Sequence, residues 1–377
     1  MGVPKDYPVY SSFRIYIMTT SHPPFSSLRT PAAKCLHLIR LNPITSRSEL
    51  VEATGLSQPT VTRAIASLVQ GGYVVERNDL TRSQGRGRPT IPLELAETRC
   101  IHAGIAVGTT STYVALFDIK GHTLRDTDLD TPVAELSQDD FIQHIMAGLN
   151  RLTAGLDRPL ASVGVTTSGT VTSDGVVNAP NLGWRNVDIA SQLREQFSVP
   201  ITVSSAVPAI IGSEIQSTTT VAAQHIVTLF ADDSIGAAVS AADGVHHIDI
   251  DRPDLTTSGL LDDINSPHVH TLIEAVTHAT SDSSARTALD RRAAALGEVA
   301  ASLIRDHEPT TMVVAGSAFV DDQAGPSIFA RSVRANLPED RQVELRMIPT
   351  HREVVRDIAR AVALDYVLRE PLSITQC

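Results

Sequence analysis

Residues 44–89 have the sequence ITSRSELVEATGLSQPTVTRAIASLVQGGYVVERNDLTRSQGRGRP, which predicts a winged helix-turn-helix. Ser46 opens an S-x-x-E capping box, the signal that begins a short helix. Gly55 allows the left-handed turn that ends this helix, and Ser57 is the next predicted N-cap. A second helix is expected over residues 58–70, because apolar residues recur there every three or four positions.

This second helix is expected to contact DNA. Short polar and guanidinium groups at its start and on its outer face suit base edges in the major groove. Residues 85–89, GRGRP, follow a predicted strand at 73–75 and form an extended basic tip that suits a narrow, A·T-rich minor groove. The alternative is a small helical protein-interaction domain. The candidate DNA-binding residues are Ser57, Gln58, Pro59, Thr60, Thr62, Arg63, Arg86, Gly87 and Arg88.

Charge is distributed unevenly along the chain. Residues 29–95 hold nine Lys/Arg and five Asp/Glu, a net charge of +4, whereas the whole chain carries −11. The remaining residues therefore carry −15. A basic head on an acidic body directs the head toward phosphates and argues against nucleic-acid binding by the whole surface.

A chain of 377 residues is longer than one ordinary domain. Residues 1–27 have no apolar signal block and are expected to form a disordered tail, with Met1 and Met18 both open as the start. No apolar run approaches the ~20 residues of a membrane span, so we expect a cytoplasmic protein without membrane contact. The predicted domains are a DNA-binding head at 28–95 and a body at 98–377.

The body alternates between predicted strands and helices, which is typical of an α/β fold with a mixed sheet. The strands are expected near residues 101–108, 113–118, 161–166, 201–203 and 311–315. The helices are expected near residues 139–156, 205–216, 284–306 and 352–370.

The chain resembles the ROK family of bacterial sugar kinases and sugar-responsive repressors, and specifically its repressor branch. The resemblance extends over residues 28–377 and is most distinctive in residues 163–171, VGVTTSGTV, and 176–184, VVNAPNLGW. Residues 285–305 and 311–316 are also similar. The resemblance implies an actin-like (ribonuclease H-like), two-lobed ATPase-type fold, assembly into a dimer or tetramer, and release of DNA when a sugar binds between the lobes.

The kinase motifs of the family are degenerate in this chain. Ala106 stands where the family's Asp-x-Gly-Gly-Thr turn has its carboxylate, and Ala206 stands where the family has its catalytic base. The second phosphate loop begins with Asp232 and Asp233, which would repel a triphosphate. We therefore expect no catalytic residue, no cofactor and no kinase activity.

The zinc and sugar motifs are also missing. No Glu-x-Gly-His and no Cys-x-Cys-Gly-x-x-Gly-Cys sequence occurs between residues 236 and 289, so no bound metal is expected. What remains for an effector is a set of residues near the strand ends, with Trp184 as a candidate to stack on a sugar ring. The alternative is a structural loop in which Trp184 fills a crevice. The candidate effector-binding residues are Ser168, Gly169, Asn181, Trp184 and Ser205.

The leading hypothesis is a homodimeric repressor of sugar or central-metabolism genes that binds an A·T-rich inverted repeat of double-stranded DNA. A sugar or sugar-phosphate effector would relieve repression. A second hypothesis is a ROK-like regulator that has lost small-molecule binding and is controlled by dimerisation or a protein partner. A residual sugar kinase is the least favoured.

Overall fold

The computed structural model describes residues 23–81, 90–97, 100–222, 224–241, 243–348 and 350–374. The predicted hook residues Arg86, Gly87 and Arg88 lie outside these ranges, as do Met1 and Met18. Within the described ranges, no helix is both long and apolar enough to cross a membrane.

The N-terminal head is a winged helix-turn-helix. Its local signals act as predicted: Ser46 and Glu49 form a capping box, and Gly55 adopts φ +67° where the second helix ends. The sequence predicts one wing strand, near residues 73–75, and the structure adds a second one at residues 93–95, antiparallel to the first. The elements are α1 Pro31–Leu41, α2 Arg47–Thr54, α3 Gln58–Gln70, β1 Val74–Glu76 and β2 Leu93–Leu95.

The first lobe of the body is a five-stranded mixed sheet with helices. The strands lie in the order 201–205, 160–167, 101–107, 111–117 and 123–130, and the first three are parallel. A small three-stranded sheet is formed by residues 170–188, between two of these strands in the chain. The strands are β3 Ile101–Val107, β4 Ser111–Phe117, β5 Thr123–Asp130, β6 Leu160–Thr167, β7 Thr170–Val171, β8 Val176–Ala179, β9 Trp184–Asp188 and β10 Ile201–Ser205. The helices are α4 Gln138–Thr153 and α5 Ile189–Gln196.

The second lobe has its own five-stranded mixed sheet, with strands in the order 244–248, 235–241, 226–231, 311–315 and 344–347. Its strands are β11 Ile226–Ala231, β12 Ile235–Ala241, β13 Gly244–Ile248, β14 Thr311–Ala315 and β15 Glu344–Met347. Its helices are α6 Ala206–Ser217, α7 Thr257–Ile264, α8 Leu272–His278, α9 Ser283–His307, α10 Ser317–Val320, α11 Gly325–Ala335 and α12 His351–Arg369. The helices and strands expected in the body are all present, with ends shifted by a few residues.

Helices α6 and α12 lie between the two sheets and share one hydrophobic cluster with both. The close packing of α12 requires glycine on the facing strands. An ideal Cβ at Gly104 would lie 2.3 Å from the Ala359 carbonyl oxygen, and one at Gly164 would lie 2.3 Å from the Val362 carbonyl carbon. No side chain fits there, so these two glycines let the helix rest directly on β3 and β6.

The head and the body share a hydrophobic cluster. The C-terminal half of α12 contributes Leu364, Val367 and Leu368, which pack with the buried residues of α1 and α3. The boundary that we place between residues 95 and 98 stays a prediction, and the packing crosses it.

The structure differs from the expectation of a disordered tail at residues 23–27. Phe25 is 5% exposed, and its backbone N–H donates to Asp365 Oδ1 at 2.8 Å. Its ring lies against Gly212 on α6, where an ideal Cβ would come within 2.3 Å of it. These residues therefore pack against α6 and α12, because Phe25 finds a long-range site that its neighbours in the sequence do not indicate.

Candidate DNA-binding surface and interlobe cleft

Helix α3 separates an apolar face from an exposed polar one. Its buried face holds Val61, Ala64, Ile65 and Leu68. The outer face and the helix start expose Gln58, Pro59, Thr62 and Arg63, and Thr60 is half-buried. Such a helix is anchored on one side and offers donors and acceptors on the other, as groove binding requires.

The first turn of α3 is fixed by its cap. Ser57 Oγ accepts from the Thr60 backbone N–H at 3.4 Å, and the two hydroxyl oxygens are 2.8 Å apart. Arg63 Nε donates to the Pro59 carbonyl at 3.3 Å, so this side chain lies along the helix surface. The predicted residues from Ser57 to Arg63 therefore occupy one continuous exposed end of the helix.

Two other head arginines are engaged by carboxylates. Arg47 pairs with Glu76, and Arg77 pairs with Glu94 and with Asp79, 2.6 Å away. The Arg47–Glu76 pair ties α2 to the first wing strand, and the Arg77–Glu94 pair ties the two wing strands together. Arg63, in contrast, is exposed and contacts only a backbone carbonyl among the described residues. Its guanidinium can therefore turn toward DNA without breaking an ion pair.

The carboxyl ends of three parallel strands meet at one edge of the first sheet. The register places Ala106 of β3 beside Thr166 of β6, and Thr167 beside Ser205 of β10. Ligands in α/β sheets bind outside such strand ends. We call this region the interlobe cleft, defined by residues 106–108, 166–169, 181, 204–206 and 232–236.

The structure brings part of the predicted effector set together. Ser168 Oγ lies 2.9 Å from Asn181 Oδ1, and Asn181 is exposed. Gly169 has φ +75°, and an ideal Cβ there would lie 2.2 Å from the Asn178 carbonyl oxygen. Ser205 is 7% exposed and immediately precedes α6.

Trp184 does not face the cleft. Its side chain is 3% exposed and packs edge-to-face on Phe141, with 5.0 Å between the ring centroids. It belongs to the hydrophobic cluster of the first lobe. This packing corrects the expectation that Trp184 stacks on a sugar and favours the alternative that it fills a crevice, because its faces are already covered by protein.

Acidic groups line the second-lobe side of the cleft. Ser317 Oγ donates to Asp232 Oδ1 at 2.5 Å, and His351 Nδ1 lies 3.8 Å from Asp232 Oδ2. Burial, with the nearby Asp232 charge, raises the pKa of Asp321. Buried Arg292 donates to the Leu255 carbonyl at 2.8 Å and to the Asp232 carbonyl at 3.2 Å. Sequence reasoning missed this cluster, since its members come from distant segments.

An open pocket of about 640 Å³ adjoins this acidic side. Its lining is rich in hydroxyl, amide and carboxylate groups, which suit a polyhydroxylated ligand. The polar lining residues are Asp233, Thr257, Ser258, Asp262, Asn265, Ser266 and His270.

Two adjacent histidines of the second lobe, His246 and His247, lie near carboxylates. His246 Nε2 is 2.7 Å from Asp243 Oδ1, and His247 Nε2 is 3.4 Å from Asp249 Oδ1. In the part of the chain that the structure describes, no group of three or more His, Cys, Asp or Glu side chains is arranged to hold a metal ion.

Comparison with known proteins agrees with this architecture. Residues 102–247 match the model of the ROK family, and residues 28–88 match that of the MarR family. A protein named a transcriptional regulator from Mycobacterium tuberculosis is 32% identical over 193 residues, or 49% of this chain and 42% of that protein. The xylose repressor of Bacillus subtilis is 28% identical over 174 residues, or 45% of this chain and 44% of the repressor. The chain therefore spans less than half the length of these curated relatives.

A solved structure shows the same fold. The crystal structure of a ROK family transcriptional regulator, a homologue of the Escherichia coli MLC protein, superposes with a TM-score of 0.71 at 17% identity. The superposition covers 90% of this chain and 98% of the other. The expected fold class, a winged helix-turn-helix followed by an actin-like two-lobed domain, is thereby confirmed. The body therefore contains a stretch, residues 102–247, that matches the ROK family, and the head in front of it matches the MarR family.

Proposed function

We propose that this chain is a cytoplasmic transcriptional regulator, acting as a homodimeric repressor on an A·T-rich inverted repeat. The observation that carries the proposal is the exposed polar end of α3, held on a capped and packed helix-turn-helix. The names of its relatives, transcriptional regulator and xylose repressor, agree with this assignment.

Helix α3 would enter the major groove with its N-terminal turn toward the bases. Gln58, Thr62 and Arg63 are exposed at this end, and Arg63 has the reach for a bidentate contact to guanine. Arg86, Gly87 and Arg88 would follow the flanking minor groove, a role that rests on the sequence alone. The acidic body would be kept away from the phosphates by its own charge.

We propose an uncharged sugar as the effector, bound in the cleft near Ser168, Asn181 and Ser205. A sugar phosphate fits less well because Asp232, Asp233 and other carboxylates line the facing side. Hydroxyl groups, in contrast, are good partners for serine, amide and carboxylate oxygens. The rival proposal, a regulator without a small-molecule effector, is supported by the burial of Trp184.

Sugar phosphorylation is not part of the proposal. Ala106 and Ala206 occupy the strand end and the helix start where a kinase of this fold needs carboxylates. A methyl group neither holds a metal-bound phosphate nor accepts the proton of a sugar hydroxyl.

Two measurements test the proposal together. Fluorescence anisotropy with the DNA upstream of the protein's own gene should show specific binding. Arg63→Ala should weaken this binding. Arg47→Gln, the control, alters an arginine already paired with Glu76 and should change the binding much less.

A thermal-shift screen of sugars, sugar phosphates and polyols tests the effector. A ligand at 100 times its Kd adds about 2.7 kcal/mol, which raises Tm by several degrees.

Each result has a definite meaning. The DNA-binding assignment is contradicted if Arg63→Ala and Arg47→Gln lose DNA affinity equally. It is also contradicted if the protein binds the upstream DNA no better than random DNA. A sugar that raises Tm and releases DNA supports the cleft as an effector site. If no compound of the screen raises Tm while the protein still binds DNA, the regulator without a small-molecule effector is favoured.

A further inference from the structure

Helices α6 and α12 both extend from the interlobe cleft to the head. Helix α6 begins directly after Ser205, and an ideal Cβ on Gly236 of the 232–236 turn would lie 3.0 Å from Val207 in its first turn. Helix α12 begins at His351, beside Asp232 of the same turn. At 1.5 Å per residue, α6 spans about 18 Å and α12 about 28 Å.

Two side chains of the head bind the far end of α6. Arg40 on α1 donates to the Gln216 carbonyl and, at 3.3 Å, to the Lys120 carbonyl. His37, one turn earlier, donates from Nε2 to the Thr218 carbonyl at 2.7 Å. The last carbonyls of a helix have no intrahelical partner and carry its partial negative charge. Head side chains therefore cap the C-terminal end of a body helix.

The two body helices are tied to each other at the same level. Arg360 Nη2 donates to Ser213 Oγ at 2.9 Å, and Gln216 Nε2 donates to the Ala361 carbonyl at 2.8 Å. These bonds link α12 to α6 within the last turns before the head. A shift of one helix therefore displaces the other.

The hydrogen bond from Arg40 to the Gln216 carbonyl depends on where the end of α6 lies. Burial and then the neighbouring Arg360 charge lower the pKa of Arg40 to about 10, and the Asp118 charge partly opposes them. Among the described residues, Arg40 Nε is buried without a hydrogen-bond partner. A buried cation is tolerated only while its remaining donors are satisfied. Loss of the Gln216 carbonyl would therefore expel Arg40 from the junction.

The junction also leaves room for movement. A cavity of about 60 Å³ lies between the head and the body, lined among others by Phe25, His37, Gln216 and Asp365. Within the described ranges, Gln216 Oε1 is buried without a partner. Since close-packed interiors resist displacement, a void at the end of α6 is where that end can shift.

We infer that Arg40, together with His37, is the positioning residue through which the state of the interlobe cleft sets the orientation of the DNA-binding head. The inference rests on the proposed function and specifies how it is regulated. A ligand that displaces the start of α6 moves the Gln216 and Thr218 carbonyls away from α1. The head then loses its fixed orientation and its affinity for DNA.

The first test is hydrogen exchange of the full chain, read by mass spectrometry. Arg40→Gln should raise exchange in the last turn of α6 and also at its cleft end, in peptides covering residues 204–208. Arg47→Gln, which alters an arginine paired within the head, is the matched control. Faster exchange confined to residues around 40 and 216, as a local role would give, overturns the inference.

The second test is a double-mutant cycle between the two ends of α6. Arg40→Gln and Val207→Ala should each weaken DNA binding, and their combined effect on Kd should depart from the product of the single effects by about fivefold. Distant, independent sites agree within roughly twofold. Val177→Ala, in the first-lobe core, is the control for a buried valine.

The outcomes separate the two proposals. A multiplicative cycle, within twofold, overturns the role of Arg40 while leaving DNA binding intact. If the wild-type chain binds no specific DNA, the proposed function fails. In that case, faster hydrogen exchange at residues 204–208 in Arg40→Gln would still support the coupling of Arg40 to the cleft end of α6. Unchanged exchange at these residues would refute that coupling.

Discussion

Acid should destabilise this fold in a way that traces to His102. This histidine is 1% exposed, and its Nδ1 lies 2.8 Å from Ser162 Oγ. Because the Ser162 hydroxyl donates its only hydrogen to the Ala363 carbonyl, His102 must donate from Nδ1, and its second nitrogen is then the site of protonation. Burial lowers the pKa of His102 from 6.5 to about 4.

The sign of the effect follows from linkage. The pKa of His102 is lower in the folded chain than in the unfolded chain, so the unfolded chain binds more protons between pH 6.5 and 4. The free energy of unfolding is therefore at its full value above pH 6.5 and decreases as the pH falls toward 4. At pH 5 the loss is about 2 kcal/mol, since one pKa unit corresponds to about 1.4 kcal/mol. His37, whose pKa burial also lowers to about 4, adds a loss of the same sign.

Urea unfolding between pH 7.5 and 5 measures this effect. His102→Asn keeps a donor for Ser162 but has no titrating group, so its free energy of unfolding should fall less steeply with pH than that of the wild type, by about 2 kcal/mol at pH 5. His268→Asn, which alters an exposed histidine, is the control substitution. Parallel curves for wild type and His102→Asn would refute the reasoning.

Three further predictions test other parts of the molecule. Arg63→Ala should cost about 1–3 kcal/mol of DNA-binding free energy at one base position, measured against operator variants; a uniform loss would assign Arg63 to phosphate instead. Arg88→Ala should reduce affinity most for A·T-rich flanks in the same titration, and equal losses on G·C-rich flanks would contradict the minor-groove role. Gly104→Ala, whose Cβ would meet Ala359, should destabilise the fold by about 1–3 kcal/mol in urea, compared with Gly155→Ala, whose Cβ meets nothing within 4 Å but has an unfavourable φ of +72°. A loss at Gly104 no larger than the backbone-strain cost at Gly155 would contradict the contact with Ala359 as the cause.

The features best predicted from the sequence are those that depend on residues close to one another in the chain. The caps at Ser46 and Ser57 and the left-handed Gly55 are local signals, and the structure forms each of them. The same holds for the apolar periodicity of α3. Such features need only a few residues, so tertiary packing seldom overrides them.

What the sequence could not predict depends on contacts between distant residues. Phe25 pairs with Asp365 across 340 positions, and Arg40 meets Gln216 across 176. In the sequence, Arg40 is one of nine basic residues of the head and counts only toward its net charge. Trp184 illustrates the same limit, since an aromatic in a distinctive loop could stack on a ligand or on Phe141, and only packing decides.

The last two turns of α12 belong by sequence to the body and by packing to the head. An engineer who exchanges DNA-binding modules among relatives must therefore move two pieces of polypeptide, one from each end of the chain. A fusion cut only near residue 95 would leave the transplanted module without its packing partners Leu364, Val367 and Leu368. New DNA specificities in this scaffold are better obtained by changing exposed side chains of α3 than by swapping the module.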